Sequence, residues 1–187
     1  EAELGRTLHH PNIIRIFEFQ KVDRLAFLSL EVFSSLNLKR AIRQESNQRV
    51  LFGFRKIIQQ TILALHHMHE RGWVHCDVKP DNFLLDESYA VKMIDFTIAH
   101  KAAKGMWGKM LYKPKVIRGT RSYMSPEQIR KQPLDARSDV YSLGCVMFEL
   151  LTTKPPFTGT SPSDLLQKHL SSAPPSALVY NANATEE

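Results

Sequence analysis

The stretch from His75 to Asn82, reading His75-Cys76-Asp77-Val78-Lys79-Pro80-Asp81-Asn82, puts an acid, a base and an amide into one short segment. Apolar runs bracket it: Gly72-Trp73-Val74 before, Phe83-Leu84-Leu85 and Val91 to Ile94 after, with Asp95-Phe96 following. Apolar runs this short read as buried strands. The polar segment between them is then a loop presented at the edge of a core. Asp77, Asn82 and Asp95 supply oxygen ligands and a proton acceptor. Hard oxygen ligands suit Mg²⁺, which is held by one or two carboxylates plus substrate phosphates. Lys79 adds a point positive charge beside them. These are the parts needed to hold a nucleotide-bound phosphoryl group and to orient a hydroxyl towards it.

A length of 187 residues with 43% hydrophobic content supports one sizeable core and argues against disorder. No apolar run reaches the ~18 residues of a membrane helix, and no signal peptide is visible. Cys76 and Cys145 are too few for a disulfide framework, so a reducing, cytoplasmic location is expected. The formal net charge of +6 reads either as a basic surface or as a basic patch for acidic partners, depending on where the charge lies.

In chain order, Glu1 to Leu8 reads as the end of a helix, because Glu1, Leu4 and Leu8 share a face and His10-Pro11-Asn12 stops it. Asn12 to Phe19 and Leu25 to Val32 are β-rich runs joined by polar residues, a hairpin pattern. Leu38 to Arg43 predicts a short helix and Arg49 to Glu70 a long one. In the long one Leu51, Phe54, Ile58, Ile62, Leu65 and Met68 recur at helical spacing, and Gly72 follows where a C-terminal cap belongs. His66, His67, His69 and His75 raise a metal reading, but ligands must converge with supporting partners. Surface or packing roles explain the helix histidines more simply. Thr97 to Met124 lacks periodicity and carries Lys101, Lys104, Lys109, Lys113, Lys115, Arg118 and Arg121 with no acidic residue, the pattern of an exposed basic loop. Ser138 to Leu151 is apolar almost all round, as in a buried core helix, with Asp139 placed to accept backbone N–H groups. Asp164 to Leu170 reads as one more helix, and Ser171 to Glu187 as a connecting loop.

Set side by side, these motifs resemble those of eukaryotic-type (Hanks-type) protein kinases. The family's His-Arg-Asp appears as His75-Cys76-Asp77, its Asp-Phe-Gly as Asp95-Phe96-Thr97 and its Ala-Pro-Glu as Ser125-Pro126-Glu127. The spacings from Asp77 to Asn82, Asn82 to Asp95 and Glu127 to Asp139 fit as well, so the resemblance covers essentially the whole chain. Lys79 two residues after Asp77, with Gly119-Thr120 downstream, is the Ser/Thr-kinase pattern. The ending Leu166 to Leu170 followed by Ala173-Pro174-Pro175 is reminiscent of bacterial members.

The resemblance implies an α+β, protein-kinase-like fold: a mostly helical large lobe plus the last part of the small lobe. Residues 1–32 would be the end of the small lobe and the hinge strand, and residues 33–187 a large lobe lacking its last helices. Glu1 would be the glutamate that pairs with the ATP-binding lysine, which with the Gly-rich phosphate loop would lie upstream, so the isolated chain is expected to be inactive. Leu30 would be the gatekeeper, Glu31 and Phe33 would offer backbone groups to adenine, and Leu84 would join them at the nucleotide. Asp77 would accept or orient the substrate hydroxyl proton, and Lys79 would neutralise the transferred phosphoryl group. Asn82 and Asp95 would hold Mg²⁺, and Thr120 would hydrogen-bond Asp77 and Lys79. Asp139 would hold the loop backbone around His75 and Cys76, and Glu127 would be exposed or bonded to backbone only. ATP and Mg²⁺ are the implied cofactors, and a Ser/Thr-bearing protein is the implied substrate, with no nucleic-acid partner.

Two departures stand out. Cys76 replaces an Arg that in many relatives binds a phosphate on the activation loop, and Thr97 replaces a Gly with a stiffer, β-branched residue. Neither removes the base or a metal ligand. Three function classes follow: a protein Ser/Thr kinase, a pseudokinase scaffold favoured by the two departures, and a small-molecule phosphotransferase. The intact Asp77, Lys79, Asn82 and Asp95 set weighs against the second, and Ser125-Pro126-Glu127 against the third. The basic loop is either solvated or ordered by an acidic partner.

Overall fold

A computed structural model describes residues 4, 7–23, 25–44, 48–102 and 119–182. Leu4 and Thr7 are helical, and Leu8 N–H donates to the Leu4 carbonyl at 3.2 Å. Glu1 lies outside the described residues. Next come β1 (Ile16–Val22) and β2 (Leu25–Leu30), an antiparallel hairpin that turns through Asp23 at a φ of +53°. Ile16 reaches the core, while Phe17, Phe19, Leu25 and Phe27 are exposed.

The second sheet carries the polar loop. It orders β3 (Leu36–Asn37), β5 (Phe83–Leu85) and β6 (Val91–Met93), all antiparallel, with Ile13 bridging to Met93 from outside. A third pair joins β4 (Trp73–Val74) to β7 (His100–Lys101). The short apolar runs of the sequence thus become β4, β5 and β6, each too short to stand alone. Phe83, Val91, Met93 and Val74 are fully buried and anchor them to the helices. Small sheets beside helices give the α+β arrangement that the sequence predicts.

Helices α1 (Leu38–Gln44), α2 (Gln48–Phe52) and α3 (Phe54–Glu70) follow the hairpin. The single long helix expected from residue 49 is therefore interrupted at Gly53. The reason is tertiary: a Cβ at Gly53 would lie 2.2 Å from the Tyr89 ring, so that ring packs where a side chain would stand. The buried stripe of α3 is Ile57, Ile58, Thr61, Ala64, Leu65 and Met68, while Ile62 is 47% exposed. Gly72 ends the helix at a φ of +75°, with its N–H donating to the His69 carbonyl, as the cap pattern predicts.

Helices α4 (Pro126–Ile129), α5 (Ala136–Thr152) and α6 (Pro162–Ser171) complete the fold. Expected as apolar all round, α5 is not: Val140 is 60% exposed, while Ser138, Asp139, Ser142 and Glu149 are buried. Its polar side chains point inward because each finds a partner there. Ser142 Oγ, for example, donates to the Tyr123 carbonyl at 2.6 Å. No described helix is long and apolar enough to cross a membrane.

Where the loop before β1 crosses α3, the rings of His10 and His67 sit 5.0 Å apart. Asn12 N–H donates to His10 Nδ1 at 3.1 Å, which requires that nitrogen unprotonated. Burial, and then the Arg71 charge, hold both imidazoles below the ordinary value. Burial does the same to His169, which sits against Tyr141 and Phe157. A histidine depressed in the fold is protonated more readily in the unfolded chain. Its contribution to stability is full above about pH 6.5 and is lost as pH falls through the folded value. The denaturant midpoint is expected to drop between about pH 7 and about pH 5, before most carboxylates titrate. Replacing His10 and His67 together by Gln should flatten that drop, and a midpoint constant over this window would contradict the account.

Candidate active site

The polar loop begins at the end of β4, and its backbone reverses at Cys76, whose φ is +68°. A left-handed, non-glycine residue costs about 1–3 kcal/mol and persists only where its surroundings over-determine it. Here the fully buried Asp139 does so. Its Oδ2 accepts from His75 N–H at 2.8 Å and sits 2.8 Å from His69 Nε2, and its Oδ1 accepts from Cys76 N–H at 2.9 Å. Hydrogen bonds to a charged acceptor contribute about 1.5–3 kcal/mol each, enough to offset the strain.

This reversal aims Asp77 at a fixed set of donors. Lys79 Nζ donates to its Oδ2 at 2.5 Å. Thr120 donates to its Oδ1 twice, from N–H at 2.9 Å and from Oγ1 at 3.0 Å, while Lys79 Nζ also reaches Thr120 Oγ1 at 3.2 Å. Asn82 Nδ2 donates to the Asp77 carbonyl at 2.9 Å and approaches Oδ2 at 3.4 Å. Burial pushes the Asp77 carboxyl up, but the Lys79 and Thr120 hydrogen bonds and the Lys79 charge outweigh it and hold the group below the usual carboxylate range. At neutral pH the site therefore presents an ionised, half-buried acceptor beside a lysine. That pairing can orient a hydroxyl and meet developing negative charge.

A second group of expected residues gathers in an apolar cleft of about 350 Å³ lined by Leu30, Glu31, Phe33, Leu84, Asp95 and Phe96. Glu31 N–H donates to the Arg15 carbonyl at 3.0 Å, which leaves its carbonyl as the backbone group it can offer. Its carboxylate accepts from Arg15 N–H and from Lys92 Nζ, each at 2.8 Å, and so ties β1, β2 and β6 together. Asp95 also has a left-handed backbone, at a φ of +63°. Its Oδ1 accepts from Thr97 Oγ1 at 2.7 Å and from Thr97 N–H at 3.2 Å, so the residue standing for the family's Gly steadies this carboxylate. Ile94 N–H donates to the Asn82 carbonyl at 2.9 Å, joining this cleft to the Asp77 network. The carboxamide hydrogens of Asn82 face Asp77, so its Oδ1 and the second oxygen of Asp95, which accept from no other group among the described residues, are available as hard ligand atoms. That donor set suits Mg²⁺. Of the basic loop, Lys101 and Arg121 are described, whereas Lys104, Lys109, Lys113, Lys115 and Arg118 lie outside the described residues.

Two features beside the site have no signature in the sequence. Lys39 on α1 donates to both Glu149 Oε1 and Tyr123 OH, and Tyr123 OH donates to Glu149 Oε2 at 2.5 Å. This buried group fixes the turn that follows Thr120, yet its members lie far apart in the chain. The second is Gln128, whose Nε2 donates to the Cys76 carbonyl at 2.7 Å. Its place three residues after Ser125 is readable as a capping box, which signals a helix start rather than a site. Glu127 corrects an expectation: it is half-buried, and its Oε1 accepts from a side chain, Ser138 Oγ, at 2.7 Å. Ser138 faces inward on α5 and lies within reach of the carboxylate.

The sequence matches the family model of the protein kinase domain over residues 1–186. It is 36% identical over 183 residues, 95% of the chain, to the serine/threonine-protein kinase PknB of Mycobacterium tuberculosis, and covers 29% of that protein. To PknB of Mycolicibacterium smegmatis it is 34% identical over 194 residues, covering 100% of the chain and 30% of the relative. To PknB of Mycobacterium leprae it is 33% identical over 178 residues, covering 93% and 28%. The chain thus spans about three-tenths of the length of the curated relatives it matches.

Proposed function

The chain belongs to the protein kinase domain family, and from that premise we propose that the full-length protein transfers the γ-phosphoryl group of ATP to Ser or Thr hydroxyls of protein substrates. One observation carries the reading: Asp77, Lys79 and Thr120 converge within hydrogen-bond distance. Asp77 accepts or orients the hydroxyl proton, Lys79 meets the charge of the transferring group, and Thr120 holds both in register. Kinases of this family use ATP and a divalent metal, and bound Mg²⁺ supplies charge neutralisation at the phosphates. Asn82 and Asp95 would hold it through the oxygens left free. Adenine would lie in the cleft against Leu30 and Leu84, with the Glu31 carbonyl and Phe33 backbone at its edge, and Glu1 would pair with an ATP-binding lysine. On this reading residues 1–32 close the small lobe and the rest belongs to the large one. The substrate chain would run along a groove of about 760 Å³ lined by Thr120, Arg121, Met124, Leu165 and Leu166. Both cysteines are free and buried, which supports a cytoplasmic setting. Incubating the full-length protein with labelled Mg-ATP and a mixed protein acceptor, then hydrolysing the product, tests the reading. Label in phosphoserine or phosphothreonine supports it, and label confined to free phosphate overturns it.

Phosphorylation of the activation segment is not required on this account. Such a phosphate works by docking on fixed positive charge. At Cys76 burial, reinforced by the Asp139 and Asp77 carboxylates, pushes the thiol up, and the side chain packs with Val74 and Leu134. It offers no positive charge. The basic residues from Lys101 to Arg121 are instead suited to an acidic partner. Full-length enzyme stripped with a broad phosphatase is expected to keep its rate within about twofold. A large loss, restored by rephosphorylating this segment, would overturn the claim.

A further inference from the structure

The residue that sets the direction of Asp77 is Cys76, and its backbone N–H and carbonyl, in successive peptides, are each held. Asp139 takes the N–H from the α5 side. The carbonyl is taken from the α4 side by Gln128, which is buried and reaches it at 2.7 Å. The orientation of the Gln128 carboxamide is fixed by its partners. Its Oε1 accepts from Ser125 N–H at 2.9 Å, and a backbone N–H can only donate. Its Nε2 must then face Cys76, whose carbonyl can only accept. A residue with both a donor and an acceptor at this reach is required, which excludes ionised Glu, Leu and Met as equivalents.

The same contact lies under the residue before Thr120. Gly119 has a φ of +115°, and a Cβ there would come within 3.0 Å of the Cys76 carbonyl and 3.3 Å of Gln128 Nε2. The catalytic loop, the Gly119-Thr120 segment and the start of α4 therefore meet at one hydrogen bond. On either side of it stand Asp77 and the Thr120 groups that hold it. The Cys76 thiol lies 3.5 Å from the Val74 carbonyl.

Resting on the kinase reading above, we propose that Gln128 is a positioning residue for phosphoryl transfer: it clamps the Cys76 carbonyl and so aims Asp77 at the acceptor hydroxyl. It touches neither ATP nor substrate, so its loss moves the chemical step and leaves binding in place. Misplacing a reacting group by a fraction of its reach is felt in kcat.

The test uses the full-length protein with Gln128→Met and Gln128→Glu, measuring kcat, KM for ATP and for a peptide, and thermal midpoint. Gln128→Met removes the donor at similar length. It is expected to lower kcat by about 10- to 100-fold while both KM values stay within about twofold. Gln128→Glu keeps an acceptor for Ser125 N–H and decides the matter should the Met variant not fold. Its ionised carboxylate repels the Cys76 carbonyl, with the Asp139 carboxylate already at the Cys76 N–H, whereas its protonated form donates again. Its kcat, taken as a ratio to wild type at each pH, is therefore expected to recover as pH falls, which a loss of mere packing would not produce. Wild-type kcat in both variants, or a loss traced wholly to fewer folded molecules at unchanged kcat, would overturn the proposal. Absence of transfer by the wild type itself would instead overturn the kinase reading beneath it.

Discussion

Asp77→Asn in the full-length protein is expected to abolish phosphoryl transfer, with a loss of about 10²–10⁴-fold or more in kcat. Asn is nearly isosteric, so the Thr120 donors and the Asn82 contact to the Asp77 carbonyl have room to persist. What disappears is the ionised acceptor, held below the usual carboxylate range by Lys79 and Thr120 against the opposing effect of burial. Lys79 also loses its partner at 2.5 Å and the charge that balances it. Nucleotide affinity should be little changed, because Asp77 is not among the residues that line the cleft of Leu30, Phe33 and Leu84. A variant that keeps wild-type kcat would show that Asp77 is not the acceptor.

The second large effect is structural. Asp139→Ala should lower unfolding stability by about 3–5 kcal/mol, the range for breaking a buried charge network from one side. Two backbone N–H groups, at His75 and Cys76, and the ring of His69 would be left without their acceptor in the core. The left-handed turn at Cys76 would lose one of its clamps, so activity should fall with stability. Val140→Ala, one residue further along α5 on its exposed side, is the control and should change stability by less than about 0.5 kcal/mol. Chemical denaturation of both variants decides it, and similar small losses in the two would contradict the clamp.

How much of this was legible beforehand differs from element to element. Strands β4 to β6 and the loop between them follow from apolar runs with polar residues between, a local pattern. Helix α3 was legible as a helix, and so were Ile58, Leu65 and Met68 of its buried face, whereas Ile57, Thr61 and Ala64 were not. The interruption at Gly53 lies against the Tyr89 ring, which is distant in sequence. Helix α5 looked apolar throughout because composition does not reveal which side chains will find partners. Ser142 and Glu149 face inward because Tyr123 and Lys39 meet them there. In the site, Asp77, Lys79 and Asn82 are close in the chain and share a motif, whereas Thr120 was placed by family spacing alone. Gln128 carried only a helix-start signal, since its partner at Cys76 belongs to another element.

The most direct measurement of the central claim is mass spectrometry of a Ser/Thr peptide incubated with Mg-ATP and either wild-type or Asp77→Asn full-length protein. The account predicts one phosphoryl group on a Ser or Thr hydroxyl with the wild type, and none above background with the variant. Equal phosphopeptide from both proteins, or none from the wild type, would contradict it.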